Sequence, residues 1–270
     1  MKNFVFLIIT ILALSSCSEY NKVLNKGDVK TQYQLAEKLF NAGKYTKAMV
    51  LFEKVAPSFI NKPQLQRVRY MAAISDYKLK NYDLATYRFN RFINNYPKSS
   101  KIEEVYFLNS QALYHLSPRS SLEQKDTKKA LEALQTYLDL YPNSEHTETV
   151  NKQYATLVDK LNKKAYDIAY LYYKTEKYKA AIVAFDNYMS DYLGSKYKED
   201  ALFYKFKAAY KLAMNSVEYK KLKRLKDAVK AQKRFLKYYS DSKYVSEAEN
   251  LLVKLNKEIE ITSPQITAEK

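Results

Sequence analysis

Few side chains in this sequence are of types that make or break bonds. Cys17 is the single cysteine, so its thiol can be alkylated but has no partner for a disulfide, a CxxC pair or a cysteine zinc site. Its setting is specific: Lys2 opens the chain, an apolar run follows from Phe4 to Leu14, and Ser15 and Ser16 lead into the cysteine. The run falls short of the roughly 20 residues that span a bilayer. The order basic, apolar, small is that of a secretory signal, here residues 1–16, removed from the mature chain. His115 and His146 are the only histidines; neither lies in an HExxH or triad-like spacing, so both are read as surface or turn residues. Glu103 and Glu104 stand at a predicted helix start, where carboxylates complement the macrodipole. No glycine-rich phosphate loop occurs. Neither an enzyme, a cofactor nor a metal is expected.

Leu14-Ser15-Ser16-Cys17 resembles the lipobox of bacterial lipoproteins. That resemblance implies a diacylglyceryl group on the Cys17 thiol, cleavage just before it, and acylation of the new amino terminus. Several chains give stable attachment where one is marginal, each buried CH₂ contributing about 0.8 kcal/mol. Ser18 occupies the position where the resemblance associates aspartate with inner-membrane retention, which points to the outer membrane. Glu19 is the only acidic residue nearby, so the periplasmic face is expected.

The elements behind these residues are helices. Glycine occurs 3 times and tyrosine 27 times, with no tryptophan, and scarce glycine with abundant Ala, Leu, Lys and Glu argues against sheet. A net charge of +17 suggests phosphate-rich or acidic partners. The lysines are nevertheless spread between apolar positions, as on solvated helix faces, and an exported chain does not ordinarily meet nucleic acid, which is not expected as a partner. The densest cluster is Lys220, Lys221, Lys223, Arg224 and Lys226.

An internal repeat organises the rest. Ala48, Ala85, Ala130, Ala181 and Ala228 each open the same pattern at a helix start. Phe52, Phe89, Leu134, Phe185 and Gln232 follow at +4, and Val55, Phe92, Tyr137, Tyr188 and Phe235 at +7, which is one helix face. An aromatic stands at +11 every time: Phe59, Tyr96, Tyr141, Tyr192 and Tyr239. Pro97 and Pro142 then end the helix, and Ser99 and Ser144 are placed to cap the next. Ala36, Ala73 and Ala169 stand twelve residues before their repeat alanines, small residues that let two antiparallel helices approach. Asn41-Ala42-Gly43-Lys44, Lys80-Asn81 and Glu176-Lys177 are the turns between them. This is the tetratricopeptide pattern, about 34 residues per helix pair.

The expected fold is all-α, an α-solenoid of about five such pairs in two lobes joined by a long helix. The boundaries are a lipidated linker over 17–30, repeats one to three over 31–145, a linker helix over 146–164, repeats four and five over 165–260, and a frayed tail over 261–270 containing Pro264. Insertions fall at Ser117–Ser121 within repeat three and around the basic cluster within repeat five.

Lipobox and repeats together resemble the BamD family, the lipoprotein subunit of the outer-membrane β-barrel assembly machinery. The likeness is carried by Tyr33 to Phe52, by Arg91-Phe92-Ile93 with Tyr96-Pro97, and by Tyr141-Pro142-Asn143-Ser144 followed by the long helix into Ala165–Tyr173. It implies a non-catalytic scaffold whose C-terminal repeats dock the barrel-forming subunit (BamA-like) and whose N-terminal repeats receive targeting strands of unfolded outer-membrane β-barrel proteins. A concave groove with tyrosines and amides suits such a segment. Tyr33, Tyr70, Tyr77 and Tyr106, with Arg67, Arg69 and Asn109, are the substrate candidates. Tyr210, Lys211 and Arg224 are the docking candidates; the family carries a docking arginine near Lys211, and lysine is not its equivalent at a bidentate contact. A periplasmic tetratricopeptide adaptor organising cell-wall enzymes is the alternative, differing mainly in partner. A glycan-binding lipoprotein of the starch-uptake type would need tryptophans for sugar stacking, and there are none.

Overall fold

The structure, a computed structural model, describes residues 20–268, with side chains through Ser263. Cys17 and the 1–16 leader lie outside these residues. Among those described the chain is helical and strandless: α1 (Val29–Asn41), α2 (Tyr45–Val55), a 3-10 turn (Ala56–Phe59), α3 (Gln64–Lys78), α4 (Tyr82–Asn95), α5 (Ile102–Leu116) and α6 (Lys125–Leu140). They are followed by α7 (Thr147–Lys174), α8 (Tyr178–Asp191), α9 (Lys198–Met214), α10 (Glu218–Tyr238) and α11 (Val245–Ala268). Helices adjacent in sequence pack together, α1 on α2 through to α5 on α6, and α8 on α9 through to α10 on α11. This is a tetratricopeptide-like solenoid.

The repeat positions explain the packing. Ala48, Ala85, Ala130, Ala181 and Ala228 are all fully buried, as are Ala36, Ala73, Ala112 and Ala169 across from them. Phe52, Phe89, Leu134 and Phe185 fill the space beside them, each such side chain contributing about 1.5–3 kcal/mol. The turns inside the pairs share one device. Gly43, Lys80 and Glu176 have φ of 72°, 62° and 59°, and the residue after each donates its N–H five residues back, as Lys44 to Leu39 (2.8 Å), Asn81 to Asp76 (2.9 Å) and Lys177 to Tyr172 (2.9 Å). This left-handed ending satisfies carbonyls that the helix leaves open.

Several expectations are corrected. Residues 20–26, expected as linker, are helical; Gln32 Nε2 donates to the Val23 and Leu24 carbonyls, and Tyr20 and Leu24 pack on the first core. The exit serines shape the turn rather than cap the helix. Lys101 is the N-cap of α5, while Ser99, Ser144, Ser195 and Ser242 accept the N–H two residues on. The repeat alanine begins its helix only where the pair is short. Ala228 lies well inside α10, because the basic segment expected as an insertion is itself helix, held by buried Leu225 and a Lys221–Glu258 ion pair. The 261–268 stretch expected as a tail is the end of α11, which buried Thr262 carries past residue 260.

The chain divides inside α7. One compact unit takes the chain up to Pro118 with Glu123–Ala155, and the other takes Arg119–Leu122 and the chain from Thr156 onward. Each has its own core: Phe52, Phe89 and Phe92 lie in the first, Phe185, Phe203 and Phe235 in the second.

Candidate functional site

In the first unit, α4, α5 and α6 enclose an open groove of about 580 Å³. Helical spacing lines it: Asp83, Thr86 and Asn90 come from one face of α4, Tyr106 and Asn109 from α5, and Lys129 and Glu132 from α6. Asn109 is 6% exposed; its Nδ2 donates to Asn90 Oδ1 at 3.0 Å, but its Oδ1 has no protein partner. Thr86 Oγ1, in the same groove, is also buried without one. A buried polar atom left unpaired costs about 1–3 kcal/mol, so two in one groove mark a place for a ligand's hydrogen bonds. A threonine hydroxyl can donate to a carbonyl and an amide oxygen can accept an N–H, which together suit an exposed peptide backbone. Tyr87, 59% exposed, supplies an aromatic face at the groove. Asp83, Asp126 and Glu132 against Lys129 make its rim acidic.

The structure disperses the other N-terminal candidates. Tyr33 donates to Glu37 at 2.7 Å, and Arg67 Nε meets the same carboxylate at 2.7 Å; burial, helped by that carboxylate, pushes the Tyr33 phenol up to about 12. Tyr70 donates to Glu104 at 2.6 Å under the Lys101 ammonium. Arg69 donates to the Tyr96 hydroxyl at 3.3 Å and lines a smaller neighbouring cavity of about 320 Å³. Tyr77 packs edge-on against Tyr82 and beside Phe89, as core. Only Tyr106 and Asn109 share the groove. Thr86, Tyr87 and Asn90 were missed, although their spacing after Ala85 puts them on the α4 face next to the buried stripe. The histidines are stacked, His115 on Tyr82 at 4.6 Å and His146 on Phe107 at 3.8 Å.

The second unit has a groove of about 530 Å³ between α8, α9 and α10. Ile182, Ala209 and Leu212 form its apolar lining, with Lys205, Arg224 and Arg234 around it. Arg224 Nη1 is held by Ser216 Oγ at 2.8 Å. Of the three docking candidates only Arg224 reaches this groove. Lys211 is exposed elsewhere on α9 and Tyr210 packs against the core.

Stacked helix pairs presenting open grooves define a tetratricopeptide-type helical repeat protein; the described residues include no group of acidic, histidine or cysteine ligands for a metal. A family model described as outer membrane lipoprotein (YfiO) matches residues 25–225. The chain belongs to that family. It is 26% identical to the outer membrane protein assembly factor BamD of Neisseria meningitidis serogroup B over 219 residues, covering 75% of this chain and 82% of that one. It is 24% identical to the protein of the same name from Rickettsia prowazekii, covering 65% of this chain and 70% of that one. A solved TPR repeats protein from Bacteroides fragilis aligns over 90% of this chain and 99% of that one at 17% identity. Its TM-score of 0.40 is too low to compare the two position by position. No helix among the described residues is long and apolar enough to cross a membrane.

Proposed function

We propose that this protein acts in outer-membrane protein assembly as a non-catalytic scaffold that holds unfolded barrel segments for the machinery that inserts them. Relatives named as outer membrane protein assembly factors support the process, and the groove over α4, α5 and α6 supports the role within it. The observation that carries the role is the pair Thr86 Oγ1 and Asn109 Oδ1, buried in one groove without partners. An extended segment has unpaired backbone N–H and C=O groups to offer them, and its aromatic side chains can rest on Tyr87 and Tyr106. The acidic rim disfavours a free C-terminal carboxylate, so the segment lies across the groove with its chain end outside.

The second-unit groove is the docking surface for the barrel-forming subunit in this reading. Arg224 and Arg234 beside an apolar lining suit a segment bearing carboxylates, for which a guanidinium gives paired hydrogen bonds. Cys17 carries the acyl anchor, on the periplasmic face of the outer membrane.

A photo-crosslinking residue at Tyr87 tests the central claim in cells. It should capture newly exported barrel proteins, and Thr86→Val with Asn109→Leu should reduce capture several-fold while leaving the far-ultraviolet spectrum unchanged. Undiminished capture in that double variant, or normal barrel-protein levels after depletion of the protein, would sink the proposal.

A further inference from the structure

The basic segment of repeat five is unused by either groove along most of its length. It begins α10, whose outer face carries Lys223, Lys226, Lys230, Lys233 and Lys237 at alternating intervals of three and four residues. Leu225, Ala228, Gln232 and Phe235 are the buried side of the same helix, so the lysines form one stripe away from the core. All five are exposed, and at 1.5 Å per residue the stripe runs about 21 Å. Among the described residues none of the five forms an ion pair, whereas Lys205, Lys207 and Lys221 are paired with Asp186, Glu247 and Glu258. Between Glu218 and the end of the helix the one acidic residue is Asp227. At the amino end Tyr219 is 77% exposed and Val217 57%, with Lys220 Nζ 4.9 Å over the Tyr219 ring.

We propose that this face of α10 lies against an anionic bilayer surface, its lysines on lipid phosphates and Tyr219 at the headgroup level. A straight stripe of like charges matches a planar array of phosphates better than a discrete binding pocket. Its cations are lysines, compact charges suited to a diffuse headgroup layer, while Arg224 and Arg234, which recognise carboxylates in a fixed geometry, line the groove beside it. Aromatic residues with a polar tip concentrate at membrane interfaces. Apart from Lys230, the contact is separate from the grooves: a protein held at one membrane site by an acyl anchor would be held at a second by this helix.

Vesicle sedimentation tests it, with the full chain carrying Cys17→Ser in every arm so that acylation plays no part. Binding to phosphatidylcholine vesicles containing phosphatidylglycerol should exceed binding to pure phosphatidylcholine and fall steeply with salt. Each lysine near such a surface adds about fivefold to partitioning. Replacing Lys223, Lys226, Lys233 and Lys237 with Gln should therefore reduce binding by more than about tenfold, whereas the same four changed to Arg should retain it. Lys230 is left in place because it also lines the groove. Removing Lys38, Lys44, Lys62 and Lys98 instead takes the same charge from exposed sites in the other unit and should have a much smaller effect. An equal loss in that control would assign binding to net charge and overturn the proposal. So would equal binding to neutral vesicles, or tighter binding to polyglutamate than to phosphatidylglycerol vesicles, which would assign the face to an acidic protein.

Discussion

Arg88 Nε donates to Asp76 Oδ2 at 2.6 Å, and Asp76 is completely buried. The pair crosses from α3 to α4, and the same guanidinium reaches back to Glu53 of α2 at 2.5 Å, so one arginine ties repeat one to repeat two. Removing one partner of a buried pair leaves an uncompensated charge, which costs about 3–5 kcal/mol. Arg88→Ala, which strands buried Asp76, should lower unfolding free energy toward that range, and Asp76→Ala should cost less because Arg88 is 29% exposed and keeps Glu53, both read from denaturant titrations. The joint replacement Asp76→Leu with Arg88→Met should recover much of the loss, and failure to recover it would mean that the charges do more than satisfy each other.

The left-handed turns offer a test of opposite sign. Lys80 and Glu176 occupy the position that Gly43 fills in repeat one, and a side chain there costs roughly 1–2 kcal/mol of conformational strain. Replacement by Gly returns flexibility to the unfolded chain, so Lys80→Gly and Glu176→Gly should each be neutral to stabilising by about 0.5–1 kcal/mol. Gly43→Ala should destabilise by about 1 kcal/mol. Denaturation midpoints of the three variants decide it.

Tyr70 and Glu104 should report pH from both ends. Burial alone would raise the Glu104 carboxyl, but the hydrogen bonds from Tyr70 and Lys101 and the charges of Lys101 and Lys78 outweigh it and hold the group below its ordinary 4.5. That stabilisation is present above 4.5 and is lost as pH falls through the lowered value. Burial, then the Glu104 hydrogen bond and charge, raise the Tyr70 phenol above its ordinary 10.0. Its stabilisation is present below 10.0 and is lost as pH rises through the raised value. The stability difference between the parent and Tyr70→Phe should therefore be widest between these limits and shrink on both sides. A difference independent of pH would refute the coupling.

Tyr188 is the joint of the second unit. Its hydroxyl donates to Asn162 Oδ1 at 2.7 Å and also bonds Ser195 of the exit turn. Asn162 is 8% exposed, so Tyr188→Phe strands a buried amide and should cost about 1–3 kcal/mol. Phe already stands at the equivalent position in repeats two and five, where Ser99 is met by Gln66 and Ser242 bonds Glu199 instead. Thermal unfolding of Tyr188→Phe and of Ser99→Ala separates the two solutions; the second removes no hydroxyl–tyrosine bond and should cost less.

The anchor has its own test. Cys17→Ser should release a folded protein from salt-washed membranes, where the charge contact proposed for α10 is screened, with the same melting temperature as the non-acylated parent. Loss of folding instead would show that the residue is structural.

Much of this protein is decided by local chemistry that a linear reading exposes. The alanine, aromatic and proline spacing specifies helix pairs because small and large side chains recurring on one helix face can be buried in only one way, and the solenoid follows from repetition. The extent of α10 and α11 was not legible, because their continuation depends on burial of Leu225 and Thr262 rather than on propensity. Nor was the groove. Tyr33, Tyr70 and Tyr77 have the composition of a binding surface, yet tertiary packing assigns their hydroxyls and rings to Glu37, Glu104, Tyr82 and Phe89. Asn109 is among the candidates that the sequence offers and Thr86 is not; the two become one candidate site only when three helices bury them without partners. Periodicity says which face of a helix turns inward; which polar atoms on that face find a partner depends on the neighbouring helix, and that only the folded chain decides.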